Sequence, residues 1–379
     1  MKIIKTLSRA ITVATLSLGL ATGAMAEVVN IGFTGPLSGG AALYGENALS
    51  GLRMAIDEIN ADGFDLNGKK STINLVSLDD RYSPAQAATN AKRLKQQSNV
   101  PAIFIPHAGG IFALQNFNEK DDFLIMAYTS VPAATEKGNT LTLRIPPTFD
   151  NYVRSFTKYA QENLGKKIGM AGATHEYAKI WATMLEEEWI AQGGTVVSNN
   201  PMDYNKSADF FTGISRVIAG NPDVIFVGGA SDPTGLIIQQ ARQMGFKGGF
   251  VVMDQAKIDE VALAAGDLKL LEGAIGVVPL GVYETEGAIH FVKSYKEKYG
   301  KTPGSEAAYH YLSMHALVDA MTASNSTEPK VIRAAMADAL KNMDALKNPY
   351  NVKTIKDDGG FFIESTLAVV KDGEILHIK

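Results

Sequence analysis

The stretch GPLSGGAALYGENALSGLRMAIDEINADG, residues 35–63, decides how the rest of the chain is interpreted. It follows the short apolar run VNIGF (29–33), which is typical of a buried strand. Its first part is rich in Gly, Ser and Ala and contains one aromatic side chain, Tyr44. From Leu49 onward apolar residues recur at helical spacing, and Gly63 is a C-terminal helix signal. The stretch therefore predicts a strand, a loop of small residues and a helix, in that order.

The same succession of strand and helix is repeated along most of the chain. Apolar runs predict strands at 28–33, 72–78, 101–105, 123–127, 166–173, 194–199, 223–229, 249–254 and 274–280. Helical patterns lie between them, near 43–61, 84–97, 149–163, 177–192, 207–219 and 232–244. Most strand runs are continuously apolar, as is typical of parallel strands covered on both faces. The alternation predicts right-handed βαβ units and an α/β fold with parallel central sheets.

The first 26 residues have the features of a secretory signal peptide. Lys2, Lys5 and Arg9 form a basic start, an apolar run too short to span a bilayer follows, and Ala24-Met25-Ala26 is a small-x-small cleavage pattern. A membrane anchor is the less favoured interpretation. We expect cleavage after Ala26 and a soluble product in the periplasm.

The mature chain is acidic and has no cysteine. Removal of the first 26 residues leaves 353 of the 379, a length that predicts two domains. Three cations are lost with them, so the net charge changes from −4 to −7. An acidic surface argues against partners such as nucleic acid or an anionic membrane. The absence of cysteine excludes disulfides and thiolate chemistry.

Two α/β blocks follow each other along the chain, separated by breaks. RIPPTFDN (144–151) contains two prolines that continue neither a helix nor a strand, and a second break lies near Pro279. A helical region at 286–343 and two strand-like runs complete the chain. We predict three crossings between two lobes, with lobe 1 formed by 27–146 and 283–352 and lobe 2 by 147–282 and 353–379.

Catalysis and metal binding find little support in the sequence. There is no G-x-S-x-G turn, no cysteine nucleophile and no phosphate-binding G-x-x-x-x-G-K loop. His310 and His315 are five residues apart and point in different directions on a helix. His175 lacks the second histidine of a zinc-protease helix. We therefore predict that the protein is not an enzyme and uses no cofactor.

Candidate binding residues lie at the carboxyl ends of the predicted parallel strands, where open α/β sheets bind ligands. Small residues there let backbone N–H groups approach a ligand, helix N-termini favour a carboxylate, and aromatic side chains cover an apolar body. The candidates are Tyr44, residues 106–110 and 128–132 in the first block, and residues 174–177, 230–232 and 254–255 in the second.

Four of these candidates also have a purely structural interpretation. Tyr44 could pack beneath its loop, and Tyr177 could be a surface residue at the start of a helix. His107 could bond a neighbouring carbonyl group. Asp254 could cap the helix that begins near Lys257.

Two other groups are interpreted as structural. For Asp79-Asp80-Arg81, at the end of a strand, we favour an ion-paired turn that anchors the loop. Trp181 and Trp189 are eight residues apart on one predicted helix and are expected in the core.

At these residues the sequence resembles the periplasmic binding proteins of ABC transporters for branched-chain amino acids, the Leu/Ile/Val-binding family with the type I periplasmic binding protein fold. The resemblance covers nearly the whole mature chain and is carried by residues 31–63, 75–94, 174–182 and 223–245. It implies two Rossmann-like lobes joined by a three-crossover hinge, which close on a small-molecule solute. It also implies delivery to an inner-membrane ABC permease, and we expect a monomer.

The resemblance assigns family positions to particular residues. Tyr44 matches the aromatic side chain that touches the ligand, and Tyr177 matches the tyrosine of the second lobe. Asp254 takes the place of the acidic residue that receives the ammonium group of the ligand. A second family aromatic falls on Ala230, which enlarges the pocket.

The carboxylate-binding positions of the family are altered in this chain. The family serine falls on Gly109, and the family threonine falls near Pro132, with Ser130 two residues earlier. Backbone N–H groups of Gly109 and Gly110 could still bind a carboxylate. The predicted ligand-binding residues are Tyr44, His107, Ala108, Gly109, Gly110, Ser130, Pro132, Tyr177, Ala230 and Asp254.

These differences weaken the expectation that the ligand is an α-amino acid. We expect a small organic solute, with amides, urea-like compounds, aromatic acids and short-chain organic acids as candidates, and leucine-like amino acids still open. The alternative function is that of a sensor protein that presents its ligand to a separate membrane receptor.

Overall fold

The computed structural model describes residues 27–363 and 366–378. The predicted signal peptide lies outside these residues. In the described ranges no helix combines the length and the apolar character needed to cross a membrane.

One sheet is formed by the first part of the chain. Its strands within the described residues are β1 (Glu27–Gly35), β2 (Phe64–Leu66), β3 (Lys69–Asp79), β4 (Ala102–Ile105), β5 (Leu124–Ala127) and β6 (Thr142–Arg144). Their order is β2-β3-β1-β4-β5-β6, and all neighbouring pairs are parallel except β2 and β3.

A second sheet is formed by later strands. They are β7 (Lys167–Gly172), β8 (Thr195–Asn199), β9 (Val224–Gly228), β10 (Gly249–Val252), β11 (Ala274–Val277), β12 (Leu367–Lys371) and β13 (Glu374–Ile378). The order is β13-β12-β11-β10-β9-β7-β8, with β7 to β11 parallel and the last two strands antiparallel at one edge.

Helices connect and cover these strands. Those of the described residues are α1 (Ala42–Asp62), α2 (Pro84–Ser98), α3 (Ala108–Gln115), α4 (Asn118–Asp121), α5 (Ala133–Glu136), α6 (Asp150–Asn163), α7 (Glu176–Ala191), α8 (Phe211–Ile218), α9 (Ser231–Gln243), α10 (Ile258–Ala265), α11 (Glu286–Tyr299), α12 (Ser305–Ser324) and α13 (Pro329–Asn342). The predicted α/β fold with parallel central sheets is confirmed. The short strands β2 and β6 were missed, because three residues carry too little pattern.

The small residues of the opening stretch are explained by close packing. A Cβ atom on Gly45 would lie 1.7 Å from the carbonyl oxygen of Pro36, and one on Gly51 would lie 2.0 Å from that of Ala307 in α12. Both separations are far below any van der Waals contact, so only glycine lets α1 approach its own loop and α12 this closely. In α1, these glycines therefore fix the position of one helix against another.

The turn after β3 is anchored by its two aspartates. Asp79 accepts hydrogen bonds from the backbone N–H groups of Leu37 and Arg81, each at 2.9 Å. Asp80 is fully buried and accepts from the Thr34 hydroxyl at 3.0 Å. The predicted anchoring turn is confirmed, although the Arg81 ion pair at 4.0 Å is exposed and adds little.

Each sheet has its own apolar core, and we call the two units the first and the second lobe. The first lobe contains β1 to β6 and also α11 to α13, whose apolar faces pack on α1 and the sheet. The second lobe contains β7 to β13, and Trp181 and Trp189 are fully buried in its core, as predicted. Phe361 packs in the first core, beyond residue 352, where we expected the second lobe to resume. The exact lobe boundaries remain a prediction.

Candidate functional site

Two adjoining cavities lie between the lobes. The cleft compartment, about 280 Å³ with its open mouth included, is lined by Tyr44, Tyr82, Pro106, His107, Ala108, Tyr128, Thr129, Ser130, Pro146, Tyr177, Asp254, Gln255 and Lys257. The hinge compartment, about 380 Å³ on the same measure, is lined by Tyr128, Ser130, Pro146, Pro147, Tyr152, Asp254, Lys257, Val277, Val278, Tyr283, Ser305, Tyr309, Tyr350 and Thr366. Several residues line both compartments, so the two form one elongated space.

Asp254 lies where the two compartments meet. It follows β10 and is 8% exposed. The hydroxyl group of Tyr177 donates a hydrogen bond to Oδ1 of Asp254, and the Ser130 side chain, from the first lobe, interacts with the same hydroxyl. The start of α10 is capped at Lys257 without any side-chain bond, so the helix-cap interpretation of Asp254 is wrong. The acid group faces the cavity instead.

A row of tyrosine rings runs along the first-lobe side of both compartments. The centroid of Tyr44 lies 6.1 Å from that of Tyr128, and Tyr128 lies 5.6 Å from Tyr309. Tyr309 is stacked on Tyr350 at 4.0 Å. The hydroxyl of Tyr44 donates to the carbonyl oxygen of Pro106 at 2.7 Å, which holds the ring against the loop after β4. Tyr44 therefore both packs and lines the cavity.

His107 is the N-cap of α3. Its Nδ1 accepts from the backbone N–H of Gly110 at 3.0 Å, so the ring proton resides on Nε2. That Nε2 lies 2.9 Å from Oδ2 of Asp80, and both side chains are buried. The predicted alternative, a bond to a carbonyl group, is wrong; the ring is fixed by a helix N-terminus and a carboxylate.

A buried ion pair joins the lobes beside the cavity. Nζ of Lys257, in the second lobe, lies 3.0 Å from Oε1 of Glu306, in the first. Nζ also donates to the backbone oxygens of Asp254 and Gln255. Burial lowers the pKa of Lys257, but Glu306 and then Asp254 outweigh it, and the pKa is raised overall. Lys257 therefore remains a cation, and its three donors are used within the protein.

Glu260 forms a second connection between the lobes. It accepts from the Asn47 amide in the first lobe and from the Ser231 hydroxyl in its own lobe, each at 2.7 Å. A Cβ atom on Gly304 would touch both Glu260 Oε1 and Glu306 Oε2, at 2.4 and 2.6 Å, so the two acid groups converge. Burial, and then the charge of Glu306, raise the pKa of Glu260 to about 8.

Tyr82 closes the outer end of the cleft. Its backbone φ of 62° is rare for a tyrosine and is held by the Asp79–Asp80 turn. Its ring lies 4.8 Å from His107 in the first lobe and 4.9 Å from His175 in the second. The amide of Gln255, from the second lobe, donates to its hydroxyl. One side chain of the first lobe thus contacts two groups of the second.

The structure brings together six of the ten predicted ligand-binding residues. Those that line the cavity are Tyr44, His107, Ala108, Ser130, Tyr177 and Asp254. Gly109, Gly110, Pro132 and Ala230 are not among the lining residues. A Cβ on Gly109 would meet Pro84 and Glu176 at the seam between the lobes, and one on Gly110 would strike the His107 ring. Pro132 and Ala230 precede α5 and α9. Ligand contact by the ten residues stays a prediction.

Sequence reasoning missed most of the hinge compartment. Tyr152, Tyr283, Tyr309 and Tyr350 come from segments that are far apart in the chain, and a tyrosine in a helix gives no sign that it borders a cavity. Lys257 was interpreted only as a helix start. Its position three residues after Asp254, at the end of a buried strand, was the one local signal available.

The geometry above is that of a two-lobed ligand-binding protein, and comparison with known proteins agrees. The sequence profile of the family described as periplasmic binding protein matches residues 28–374. The chain belongs to the periplasmic binding protein family. Membership implies a periplasmic location and a small-molecule ligand, and it confirms the prediction that this protein is not an enzyme.

The chain is also similar to named relatives that are described as amino acid binding proteins. It is 27% identical over 354 residues to the Leu/Ile/Val-binding protein homolog 8 of Brucella abortus, covering 87% of this chain and 86% of the relative. It is 26% identical over 319 residues to an amino acid binding protein of Pseudomonas aeruginosa, covering 82% and 83%. The predicted resemblance to the Leu/Ile/Val-binding family is confirmed.

Solved structures support the same fold. The leucine-binding protein LivK of Thermotoga maritima matches with a TM-score of 0.78 at 23% identity, covering 93% of this chain and 98% of that one. The LivJ protein of Streptococcus pneumoniae, solved with isoleucine, also has a TM-score of 0.78 at 23% identity, covering 92% and 98%. At this identity the likeness establishes the type I periplasmic binding protein fold.

Proposed function

We propose that this protein is the solute-binding component of an ABC uptake transporter, exported by cleavage after Ala26 and active as a monomer. It closes on a small organic solute that carries a hydrogen-bonding or cationic nitrogen and delivers it to an inner-membrane permease. The observation that carries the proposal is the arrangement of Ser130, Tyr177 and Asp254. They come from both lobes and meet at one point of the cavity, so a solute held there stabilises the closed form.

Ligand binding is tested first by thermal unfolding of residues 27–379, refolded to remove any carried-over solute. The panel contains amino acids, amines, amides, aromatic acids and short-chain organic acids. A ligand at a thousand times its Kd stabilises the folded state by about 4 kcal/mol, which raises the Tm by several degrees. Calorimetry then gives the Kd.

Asp254→Ala tests the assigned site. We expect a loss of affinity of at least tenfold, because the solute nitrogen loses its acidic partner. Asp62→Asn, at the exposed end of α1, is the matched control and should bind as the parent does. Equal affinity of Asp254→Ala and the parent would show that the solute binds elsewhere. Delivery is tested by uptake of labelled solute in cells with and without the gene.

A further inference from the structure

The hinge compartment has walls of a different origin and composition from those of the cleft compartment. Its walls come from the segments after β6, after β11 and before β12, where the chain passes between the lobes, and from the start of α12. Apolar side chains such as Val277 and Val278 form one part of the wall, and tyrosines form most of the rest. A flat apolar body would fit such walls, because ring faces and aliphatic groups both exclude water from it.

Three tyrosine hydroxyls in this compartment are without hydrogen-bond partners. The side chains of Tyr128, Tyr152 and Tyr309 are 6–7% exposed, and none of their hydroxyls is hydrogen-bonded to any other described residue. In contrast, the hydroxyls of Tyr44 and Tyr177 are both bonded within the protein. The three hydroxyl oxygens are not sealed within the protein but open onto the compartment, so each is available to a polar group of a ligand.

The charge around the two compartments favours a cationic group. Asp254 is the one carboxylate among the described residues that line the space, and the charge of Lys257, which also lines it, is paired with the buried Glu306. Because Lys257 is held by Glu306 and by two backbone oxygens, it offers no free donor to an anion. Asp254 uses only Oδ1 for Tyr177 among the described contacts. A positively charged nitrogen beside Asp254 would also face the tyrosine rings, which attract cations.

We propose that the hinge compartment is the subsite for a hydroxylated aromatic ring, and that the solute is a phenolic amine whose ammonium group is held by Asp254. The ring lies among the tyrosines and between the hinge segments. Its hydroxyl exchanges hydrogen bonds with the hydroxyls of Tyr128, Tyr152 and Tyr309. This inference rests on the proposed solute-binding function and specifies its substrate class.

The test is calorimetric titration of residues 27–379 with matched compounds. The panel pairs 4-hydroxyphenethylamine with phenethylamine and tyrosine with phenylalanine, and adds 4-hydroxyphenylacetate, leucine and acetamide. We expect the hydroxylated member of each pair to bind about fivefold to tenfold more tightly, the net effect of one hydrogen bond. The acid without an amino group should not bind, because Asp254 repels its carboxylate and the charge of Lys257 is already paired with Glu306.

Two variants locate the ring. Tyr152→Phe and Tyr309→Phe keep the ring walls and remove one hydroxyl each. They should weaken binding of 4-hydroxyphenethylamine about fivefold and leave phenethylamine within twofold. Tyr159→Phe, on the same helix as Tyr152 but outside both compartments, is the control and should change neither.

The outcomes separate this inference from the proposed function. Tighter binding of leucine, acetamide or 4-hydroxyphenylacetate than of the phenolic amines would overturn the inference and leave solute binding established. If Tyr152→Phe weakened the binding of both members of a pair equally, the inference would also be overturned. The Tyr152 hydroxyl would then not be bonded to the hydroxyl of the ligand. Absence of binding by every compound overturns the inference. The proposed function fails only when the wider thermal panel is negative as well.

Discussion

His107 and His175 occupy the same position in the two lobes. Each follows the end of a strand and caps a helix through Nδ1, which accepts from the backbone N–H of Gly110 at 3.0 Å and of Ala178 at 3.2 Å. Nε2 of His107 is paired with Asp80 of its own lobe. Nε2 of His175 is buried without a partner among the described residues, and the ring is covered by Tyr82 of the opposite lobe.

The difference shows that one local motif can serve two purposes. His107 is anchored whether the lobes are open or closed, because all of its partners are in the first lobe. The ring of His175 is covered by Tyr82 of the opposite lobe, and we therefore expect it to become exposed when the lobes separate. Burial, and then the nearby His107, lower its pKa from 6.5 to about 3, so protonation of His175 opposes closure.

The largest expected effect is a loss of protein stability when the buried partner of His107 is removed. Asp80→Ala removes the buried partner of His107 and of Thr34, and we expect the free energy of unfolding to fall by about 3 kcal/mol. His175→Ala removes only a helix cap and should cost about 1 kcal/mol. Urea unfolding followed by circular dichroism measures both. Similar losses in the free energy of unfolding for the two variants would contradict the conclusion that His107 is anchored more firmly than His175.

The second prediction concerns affinity below pH 6.5. Burial and then the charge of Glu306, which lies in the opposite lobe, raise the pKa of Glu260 from 4.5 to about 8. We expect the ordinary value to return when the lobes separate, so between pH 4.5 and 8 this group takes up a proton as they close. His175 releases one between pH 3 and 6.5. The two effects cancel from pH 4.5 to 6.5, and the parent affinity should be flat there.

His175→Asn exposes this cancellation, because asparagine keeps the cap and does not titrate. Affinity for the tightest ligand of the panel should rise about tenfold for each pH unit from 6.5 down to 4.5. Exposed His377→Asn is the control and should reproduce the flat parent profile. A flat profile for His175→Asn would mean that His175 does not respond to closure.

The third prediction concerns the range above pH 6.5, where only Glu260 titrates. Its contribution to closure is complete below pH 4.5 and is lost as the pH rises through 8. The parent affinity should therefore fall about fifteenfold between pH 6.5 and 8. Glu260→Gln keeps both hydrogen-bonding positions and should abolish that fall, leaving instead a decrease in affinity below pH 6.5. Calorimetry across the same buffers measures both profiles.

The smallest expected effect is that of Tyr82→Phe. The ring remains between the two histidines, but the hydrogen bond from Gln255 across the lobes is lost. We expect about fivefold weaker ligand binding with an unchanged pH profile. A changed profile would show that the hydroxyl, rather than the ring, controls the environment of His175.

Local pattern predicted much of the fold and only part of the site. All nine strand runs named in the sequence correspond to strands, and α2 (Pro84–Ser98) lies where the helical pattern near 84–97 predicted it, because these features depend on neighbours in the chain. Asp254 and Tyr177 could also be placed, since strand ends meet at one edge of a parallel sheet.

The remainder depended on contacts distant in sequence. Tyr309 and Tyr350 are stacked, yet they belong to a helix start and a loop separated by a whole helix. Gly51 was predicted only as part of the helix near 43–61, and the oxygen that it accommodates belongs to Ala307, more than two hundred residues away. No local rule indicates which partner a small residue serves.

The contact between Gly40 and the segment around Asn205 lends itself to a fluorescent sensor. A Cβ on Gly40, in the first lobe, would lie 3.2 Å from the Cα of Asn205, in the second, and Asn205 is exposed. The chain has no cysteine, so Asn205→Cys would provide a single point for thiol-specific dye attachment. A dye attached at residue 205 would be confined between the two lobes in the closed form and free to move in the open form. Its emission would then convert solute concentration into an optical signal without any added reagent.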